Sequence, residues 1–410
     1  MVKGDRIVGL DIGTTKICAI VAEVEEEGLK ITGVGNSPSD GLKRGVVVNV
    51  DKTVRSIQQA IDKAERMSDT RITAVYAGIA GDHIRSFNSR GVIAVSGPDN
   101  EVNSHDVARV IEAAKAISIP MDREIVHVLP QDYSVDDQPG IKDPIGMAGV
   151  RLEADVHIVT GAVTSAQNIC KSIRRAGVEV VDLVLEPIAS SYSVLTGDEQ
   201  EMGVVLVDIG GGTSDIAVFY DGSIRHTAVV GLGGENVTRD VAVGLRTPFK
   251  HAEEIKRTYG CAMTSLVSKE EVIEVPGVAG RPPDRVERAE LASIIEARME
   301  EIFVLVNSEI RRTDYFDLLA AGIVVTGGGA MVEGCVDLAE EVFGMPARLG
   351  TPRGVTGLVD AVTQPIYATG VGLVQFGLEH QHREGQFASA NGDMFNSILG
   401  RMKGWVKDFF

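Results

Sequence analysis

Two short stretches of the chain share a run of residues suited to binding a phosphate group. The first is IVGLDIGTTKICAIVAEV (Ile7–Val24), and the second is GVVLVDIGGGTSDIAVFYDG (Gly203–Gly222). Each consists of an apolar strand, an Asp-x-Gly turn and a second apolar strand, which predicts a β-hairpin. Glycine lets several backbone N–H groups point at one oxygen atom because no Cβ blocks the approach. The turn residues predicted to do so are Gly13, Thr14, Thr15, Gly210, Gly211, Gly212 and Thr213.

Three charged side chains accompany these turns. Lys16 would place a point charge on a phosphate oxygen. Asp11 and Asp208, at the ends of their strands, would hold Mg²⁺, which binds few carboxylates and keeps most of its waters. One such hairpin alone is equally well an ordinary glycine turn. Two copies about 200 residues apart, each with Asp in the same place, favour a nucleotide cleft between two related halves.

A third glycine-rich loop lies in AAGIVVTGGGAMVEG (Ala320–Gly334), between a predicted buried strand and a predicted helix start. Three glycines at such a turn allow the close approach of a flat purine. In HAEEIKRTYG (His251–Gly260), the Glu and Lys of EEIK lie three apart on one helical face, where both could reach a ribose or adenine edge, although a surface ion pair explains them equally well. The residues assigned to the nucleotide here are Gly327, Gly328, Gly329, Glu253 and Lys256, together with Gly233 and Gly234 at the end of the second repeat.

The composition argues against several classes of protein. A net charge of −18 over 410 residues argues against a nucleic-acid surface, which would need basic stripes. The four cysteines are scattered without metal-ligand spacing, which is typical of a reducing cytosol. No apolar run approaches the roughly 18 residues of a spanning helix, and a first strand beginning at Arg6 predicts no signal peptide.

The end of the chain, MFNSILGRMKGWVKDFF (Met394–Phe410), has the pattern of an amphipathic helix. Its apolar face would contain Ile398, Leu399, Met402, Trp405, Val406, Phe409 and Phe410, and its basic face Arg401, Lys403 and Lys407. A terminal helix docked on the protein's own core is the alternative. The polar segment before it, the single Trp of the chain and basic residues in an acidic protein favour a helix that lies on an anionic lipid membrane.

Several motifs together resemble a known superfamily. LDIGTTK, VDIGGGTSD, VVTGGGA, AEEIK and EPIASSYSVL (Glu186–Leu195) resemble the phosphate, adenosine and connecting motifs of actin, Hsp70 and the sugar kinases. The segment His127–Thr160, GRPP (Gly280–Pro283) and the amphipathic end resemble the FtsA family of bacterial division proteins, and the likeness covers essentially the whole chain. It implies binding of ATP and Mg²⁺. It also places Glu186 where a water-orienting residue would lie, which permits hydrolysis at most slowly and leaves enzyme activity open.

The resemblance implies an α/β fold: the duplicated actin-like (ribonuclease-H-like) fold with two large lobes. The first lobe would comprise subdomain IA, residues 1–81 and 161–198, and an inserted α/β subdomain IC of the SHS2 type, residues 82–160. The second lobe would comprise subdomain IIA, residues 199–231 and 301–377 with a helix returning to IA, and subdomain IIB, residues 232–300. Residues 378–393 would form a flexible linker and 394–410 a membrane-targeting helix.

The same resemblance implies a peripheral protein that polymerises at the cytoplasmic face of the bacterial inner membrane, at the division site. It would tether the FtsZ ring to the membrane and help to recruit later division proteins. Subdomain IIB would receive the C-terminal peptide of FtsZ through Arg281, Arg285, Arg288 and Arg298, although a solvated helix face explains these arginines equally well. A sugar or small-acid kinase and an MreB-like filament protein remain as alternatives, whereas an Hsp70-like chaperone would need a peptide-binding domain after Gly377.

Overall fold

Two lobes of matching topology and one inserted subdomain make up the described chain, which in the computed structural model comprises residues 5–26, 28–278 and 280–390, without side chains at Pro98 and at 382–390. The first part contains β1 (Arg6–Ile12), β2 (Lys16–Glu25), β3 (Gly28–Pro38), β4 (Leu42–Lys43), β5 (Val46–Val47), α1 (Val50–Ser68) and β6 (Ala74–Ile79). The insertion contains β7 (Arg85–Ala94), α2 (Ser104–Lys115), β8 (Arg123–Val135), β9 (Gln138–Ile141) and β10 (Arg151–Ala162). The first lobe then continues with α3 (Val163–Arg175), β11 (Glu179–Leu185), α4 (Glu186–Val194) and α5 (Gly197–Met202).

The second lobe begins with a copy of the first three strands. It contains β12 (Val204–Ile209), β13 (Ser214–Tyr220), β14 (Ser223–Val230), α6 (Gly234–Gly244), α7 (Phe249–Tyr259), β15 (Val272–Val275), β16 (Asp284–Glu287), α8 (Arg288–Arg311), β17 (Ile323–Thr326), α9 (Cys335–Phe343) and β18 (Ala347–Leu349). The chain then returns to the first lobe with β19 (Val355–Gly357) and α10 (Ala368–Ala390).

The strand order confirms the duplication that the sequence predicts. The first-lobe sheet has the order β11-β6-β1-β2-β3-β19, and the second-lobe sheet has the order β14-β13-β12-β17-β18. In each lobe the first strand pairs antiparallel with the second strand and parallel with a later strand, β6 in one lobe and β17 in the other. The first strands are continuous apolar runs because helices cover both faces of each sheet. Both hairpin turns therefore lie at equivalent ends of the two sheets.

The insertion is a four-stranded sheet, β7-β10-β8-β9, with α2 packed on it. Helix α2 begins with a capping box, in which the Asn103 side chain accepts from the Asp106 N–H and the Asp106 carboxylate accepts from the Asn103 N–H. Its apolar residues form a core of their own, which includes Val110, Leu152 and Val156. The insertion is therefore a separately cored unit.

Polar side chains join the insertion to strand β14 of the second lobe. Gln131 donates to the Ile224 carbonyl at 2.8 Å, Ser86 donates to the Thr227 carbonyl at 2.8 Å, and Arg225 pairs with Asp132. Gln131 and Arg225 are only 5% and 6% exposed. The Gln131, Ser86 and Arg225 side chains each have a partner, as a buried polar contact requires. We call this contact the insertion seam.

His157 lies at the centre of the insertion seam and is 1% exposed. The Asn88 amide nitrogen donates to the Arg225 carbonyl, so its oxygen is the atom that faces His157 Nδ1, 2.7 Å away. Nδ1 therefore carries the proton, and Nε2 accepts from the Thr227 hydroxyl at 2.9 Å. Burial, with a smaller contribution from His226, lowers the pKa of His157 from 6.5 to about 3.

Helix α10 returns to the first lobe, as the sequence predicts, and packs on β1 and α4. Its end differs from the prediction, because the helix continues to Ala390 where a flexible linker was expected from residue 378. Residues 378–390 are polar but contain no β-branched residue, and unbranched polar side chains are compatible with a helix. The boundaries predicted at 198 and 300 also fall inside helices, α5 and α8. Residues 391–410, which include the predicted membrane helix, lie outside the described residues.

We expect His157→Gln to reduce the acid sensitivity of the fold. Because the pKa of His157 is about 3 in the folded protein and ordinarily 6.5, the unfolded chain binds an extra proton between these values. The free energy of unfolding of the wild type should therefore fall as the pH drops below 6.5, by up to about 1.4 kcal/mol per pH unit from this group. Urea unfolding at several pH values should show a shallower slope for the variant. The exposed His105→Gln is the control, and equal slopes for wild type and His157→Gln would contradict the assignment.

We expect Gly372→Ala to destabilise the protein through the crossing of α10 and α4. A Cβ on Gly372 would lie 1.8 Å from the Ala189 carbonyl oxygen, so the helices must separate. Overpacking costs about 1–3 kcal/mol, and an overlap this close with a backbone oxygen places the cost near the upper end, above the roughly 1 kcal/mol that Ala gains over Gly in a helix. Thermal unfolding of Gly197→Ala is the matched control, because a Cβ there meets nothing within 4 Å. A variant as stable as the wild type would show that α10 does not pack in this way.

Candidate functional site

The turns of the β1–β2 and β12–β13 hairpins face each other and touch. Each is closed by the same hydrogen bond, from Gly13 N to the Lys16 carbonyl at 3.0 Å and from Gly210 N to the Thr213 carbonyl at 2.9 Å. A Cβ on Gly211 would lie 2.4 Å from the Thr15 side chain. A Cβ on Gly212 would lie 2.7 Å from the Thr14 hydroxyl. The two predicted phosphate loops are therefore brought together, and glycine is required for their approach.

The start of α6 completes the second turn. Gly234 N donates to the Gly210 carbonyl at 2.9 Å, and Glu235 N donates to the Gly211 carbonyl at 2.8 Å. A Cβ on Gly233 would lie 2.6 Å from the Gly210 oxygen. The predicted site residues Gly233 and Gly234 thus hold the hairpin turn in place, next to the positive end of a helix dipole.

Lys256 also belongs to this region and is buried, with 10% of its side chain exposed. Its ammonium group lies 2.7 Å from the Glu253 carboxylate and donates to the Thr238 hydroxyl at 2.8 Å and the Gly234 carbonyl at 3.0 Å. The pair predicted from EEIK is therefore not a surface ion pair. It fixes α7 to the start of α6, behind the second hairpin turn.

Lys16 extends toward the loop before α10. Its ammonium group donates to the Ile366 carbonyl at 2.5 Å and lies 3.6 Å from Asp11. The Tyr367 ring lies beneath it, with the centroid 4.6 Å from Nζ. The charge of Lys16 therefore lies beside Asp11, on the floor of the cleft between the lobes.

Four carboxyl groups line this cleft; three of them are buried, and that of Glu186 is half-buried. Asp11 and Asp208 are the predicted metal residues, and Glu186 begins α4 beside Gly78. Burial raises the pKa of Asp11, an effect that the neighbouring Lys16 partly offsets. Burial, followed by repulsion from Asp11, Asp215 and Asp208, raises the pKa of Glu186 well above its usual value. Burial raises the pKa of Asp208 to about 6, although the Ser190 hydroxyl donates to it at 2.7 Å.

Asp215 is the cleft residue that the sequence analysis missed. It lies directly opposite Asp208 in the β12–β13 ladder and is 3% exposed. Thr213 donates to its Oδ2 at 3.0 Å, whereas the buried Oδ1 has no partner among the described residues. Burial and the charge of Asp208 raise the pKa of Asp215 to about 7. The signal was available, because an Asp seven residues after Asp208 across a tight turn must lie on the opposite strand.

The donor set of the cleft fits Mg²⁺. Asp11, Asp208 and the unpartnered Oδ1 of Asp215 offer carboxylate oxygens, the ligands that this cation takes. A divalent charge would also relieve the repulsion that raises the pKa of these groups. Among residues 5–26, 28–278 and 280–390, no three His, Cys, Asp or Glu side chains are arranged as a direct metal cage. Coordination by few carboxylates, with water completing the shell, is the arrangement that suits these residues.

The third glycine loop supports the cleft from behind. A Cβ on Gly327 would lie 2.3 Å from Asp208 Oδ1, and one on Gly329 would lie 2.3 Å from the Ile209 side chain. Gly328 faces Ile366 with more space. A 3₁₀ turn, Gly328–Met331, follows the strand, and α9 begins at Cys335, so the helix start predicted after the three glycines is present. Two of the three glycines are explained by packing against β12.

The four arginines predicted to bind a partner differ in their surroundings. Arg281 and Arg285 are exposed. Arg288 pairs with Glu271 at 2.8 Å and also with Glu333. Arg298 pairs with Asp240 at 2.5 Å and also with Glu301. Two of the four are therefore already neutralised by carboxylates of this chain.

The residues predicted to contact lipid, Ile398 to Phe410, lie outside the described residues. Within the described part of the chain, no helix has the length and apolar character needed to cross a bilayer.

Two family models match the chain. The model of the cell division protein FtsA matches residues 205–372, and the model of the SHS2 domain inserted in FtsA matches residues 81–160. The second match coincides with the insertion of the first lobe.

Solved structures of other proteins share the fold. The PilM–PilN type IV pilus biogenesis complex gives a TM-score of 0.64 at 17% identity, covering 90% of this chain and 98% of that one. MreB5 of Spiroplasma citri bound to ADP gives a TM-score of 0.56 at 15% identity, covering 94% and 99%. Together with the duplicated lobes, these likenesses show that the fold is actin-like.

Relatives match the chain over almost its whole length. FtsA of Pseudomonas aeruginosa is 53% identical, with 99% of both chains covered. FtsA of Neisseria meningitidis is 45% identical and FtsA of Escherichia coli is 43% identical, each with 98% of both chains covered. At such identity over such a length, this chain belongs to the FtsA family of cell division proteins.

Proposed function

We propose that this chain is an ATP-binding, actin-like division protein that polymerises at the cytoplasmic face of the inner membrane. There it tethers the FtsZ ring and helps to recruit later division proteins. The observation that carries the nucleotide part is the contact of two glycine hairpin turns beside four carboxyl groups, three of them buried. Membership of the FtsA family favours this function over the sugar-kinase and MreB-like alternatives.

The cleft is suited to a nucleotide phosphate chain with Mg²⁺. Backbone N–H groups and threonine hydroxyls of both turns can donate to phosphate oxygens, while Asp11, Asp208 and Asp215 would hold the hydrated cation. Bound Mg²⁺ would supply positive charge against both the phosphates and the carboxylates. The related fold of MreB5 of Spiroplasma citri, solved with ADP and with AMPPNP, supports a nucleotide in this position.

Hydrolysis is expected to be slow at most. Burial and repulsion from three neighbouring carboxyl groups raise the pKa of Glu186, which favours its protonated form while no cation is bound. A protonated carboxyl group is a poor acceptor for the proton of an attacking water. ATP would then act chiefly as a ligand that stabilises the closed arrangement of the two lobes.

The attachment to the membrane is assigned to residues 394–410. Basic side chains near an anionic surface contribute about 1 kcal/mol each to the free energy of membrane binding, and burial of the apolar face in the lipid contributes more. One such tail binds weakly, because ordering a segment with two glycines opposes binding. An array of tails on a filament binds far more strongly, since every contact after the first is effectively intramolecular.

The FtsZ tail peptide is assigned to subdomain IIB. Because Arg288 and Arg298 are paired with carboxylates of this chain, Arg281 and Arg285 are the arginines free to meet acidic groups of a peptide. Their exposure supports a contact that is formed by the surface hairpin β15–β16.

We expect Gly212→Asp to weaken the binding of MgATP by an order of magnitude or more. The new carboxylate would lie beside the Thr14 hydroxyl, where a phosphate oxygen should accept hydrogen bonds, and like charges repel in a tight site. Gly212→Asn is the matched control, because it has the same shape without the charge. Isothermal titration should show a weaker affinity for the Asp variant than for the Asn variant. Equal affinities of these two variants for MgATP would show that no phosphate group binds at this turn.

We expect Trp405→Glu to abolish binding to anionic vesicles while MgATP binding is unchanged. The substitution puts a charge in the centre of the apolar face, whereas Trp405→Phe keeps the face apolar and should still bind. Co-sedimentation with vesicles should also increase with ATP for the wild type, because ATP favours assembly and assembly multiplies the tails. FtsZ tail peptide added to the same assay should sediment only with vesicle-bound protein. Tight vesicle binding by Trp405→Glu would refute the anchor.

A further inference from the structure

The loop between β4 and β5 touches both hairpin turns of the nucleotide cleft. The Gly45 N–H donates to the Thr14 hydroxyl at 3.2 Å in the first turn. A Cβ on Gly212, in the second turn, would lie 3.0 Å from Arg44 Cα. Arg44 has a φ of 50°, a left-handed conformation that is uncommon for a residue with a side chain. The fold therefore holds an arginine backbone in an unfavourable conformation directly against the phosphate loops.

The Arg44 side chain lies across the mouth of the cleft, between the two lobes. Its Nη1 atom is 3.9 Å from Asp82 Oδ2, and a Cβ on Gly231 of the second lobe would be 3.9 Å from the same nitrogen. Half of the side chain, 49%, is exposed. Gly231 comes just before the glycines that hold the second turn. The guanidinium group is thus close to both walls of the cleft and still free to turn.

Arg44 has the weakest ion pair of the three cations that border the hairpins. Lys16 is held by Asp11, the Ile366 carbonyl and the Tyr367 ring, and Lys256 is held 2.7 Å from Glu253. An ion pair of 3.9 Å between half-exposed groups contributes little to stability. Arg44 can therefore exchange its partner at small cost, whereas the two lysines cannot.

We propose that Arg44 binds the terminal phosphate of a bound nucleoside triphosphate and gives this site its preference for a triphosphate over a diphosphate. This inference rests on the proposed nucleotide site. The planar guanidinium fork matches two phosphate oxygens, and Arg44 stands where the two phosphate turns meet. A diphosphate lacks the oxygens that would draw Arg44 from Asp82, so it binds without this contact.

Through Asp82, a change of partner by Arg44 would also affect the inserted subdomain. Asp82 lies at the root of the inserted subdomain, and its carbonyl accepts from Arg85 at 2.7 Å. The same root packs on the loop, since a Cβ on Gly45 would lie 2.4 Å from the Ala80 carbonyl. When Arg44 turns to a phosphate, Asp82 loses its partner. The charge balance at the root of the insertion then depends on which nucleotide is bound.

The first experiment compares the affinities for MgADP and MgAMPPNP by isothermal titration, using the full chain and Arg44→Gln. The wild type should bind MgAMPPNP more tightly than MgADP. Arg44→Gln should lose roughly 10- to 100-fold in affinity for MgAMPPNP, as expected when a charged hydrogen-bond pair is removed, and keep its affinity for MgADP within about threefold. Lys43→Gln is the matched control, because it removes the neighbouring exposed charge and should change neither affinity.

Two further variants separate the phosphate contact from a structural role of the loop. Asp82→Asn, which frees Arg44, should strengthen MgAMPPNP binding by a few-fold and leave MgADP binding unchanged. Arg44→Lys, which keeps the charge without the fork, should restore part of the preference for the triphosphate. An equal loss of both nucleotides in Arg44→Gln, or no loss of either, overturns the inference. A wild type that binds neither nucleotide would instead overturn the proposed function.

Discussion

The close contact between the two hairpin turns is the constraint on which the relative position of the two lobes depends. Gly211 against Thr15 and Gly212 against Thr14 leave no room for a Cβ, so glycine is required at both positions for the turns to meet in this way. Both turns project from the same end of two sheets of equivalent strand order, which allows them to face each other. Further glycines, Gly233 and Gly327, let the backbone behind the second turn come equally close.

The same approach of the lobes concentrates negative charge. Asp11, Asp208 and Asp215 are buried, and Glu186 lies near them. Burial is the main cause of the raised pKa values of all four groups, and repulsion between carboxyl groups adds to it for Glu186, Asp208 and Asp215. Such an arrangement stabilises no fold by itself and is typical of a functional site. It is relieved when a cation enters, so the cleft is electrostatically incomplete without one. Lys16, held between Asp11 and the loop before α10, offsets only part of this charge.

The sequence allowed the hairpins, the duplication and the insertion to be predicted because these depend on local patterns: apolar strands, Asp-x-Gly turns and a change in composition. Asp215 was not predicted, although its spacing from Asp208 indicates the position across the ladder that makes it important. The ion pairs of Arg288 and Arg298 were also hidden, since Glu271, Glu333 and Asp240 are distant in sequence. The polar stretch after Gly377 was read as a linker from composition alone, yet its backbone is helical to Ala390.

Because of the insertion seam, a deletion of the inserted subdomain would also affect the second lobe. Removing residues 82–160 would strip Gln131, Asp132 and His157 from β14 and leave Arg225, now 6% exposed, with the 3.4 Å pair to Asp221 but without its partner Asp132. It would also remove Asp82, the acidic partner of Arg44 at the cleft mouth. A truncated chain would therefore combine the loss of a surface with a damaged second lobe. Point substitutions on the outer face of the insertion are the cleaner way to learn which contacts with other molecules that subdomain makes.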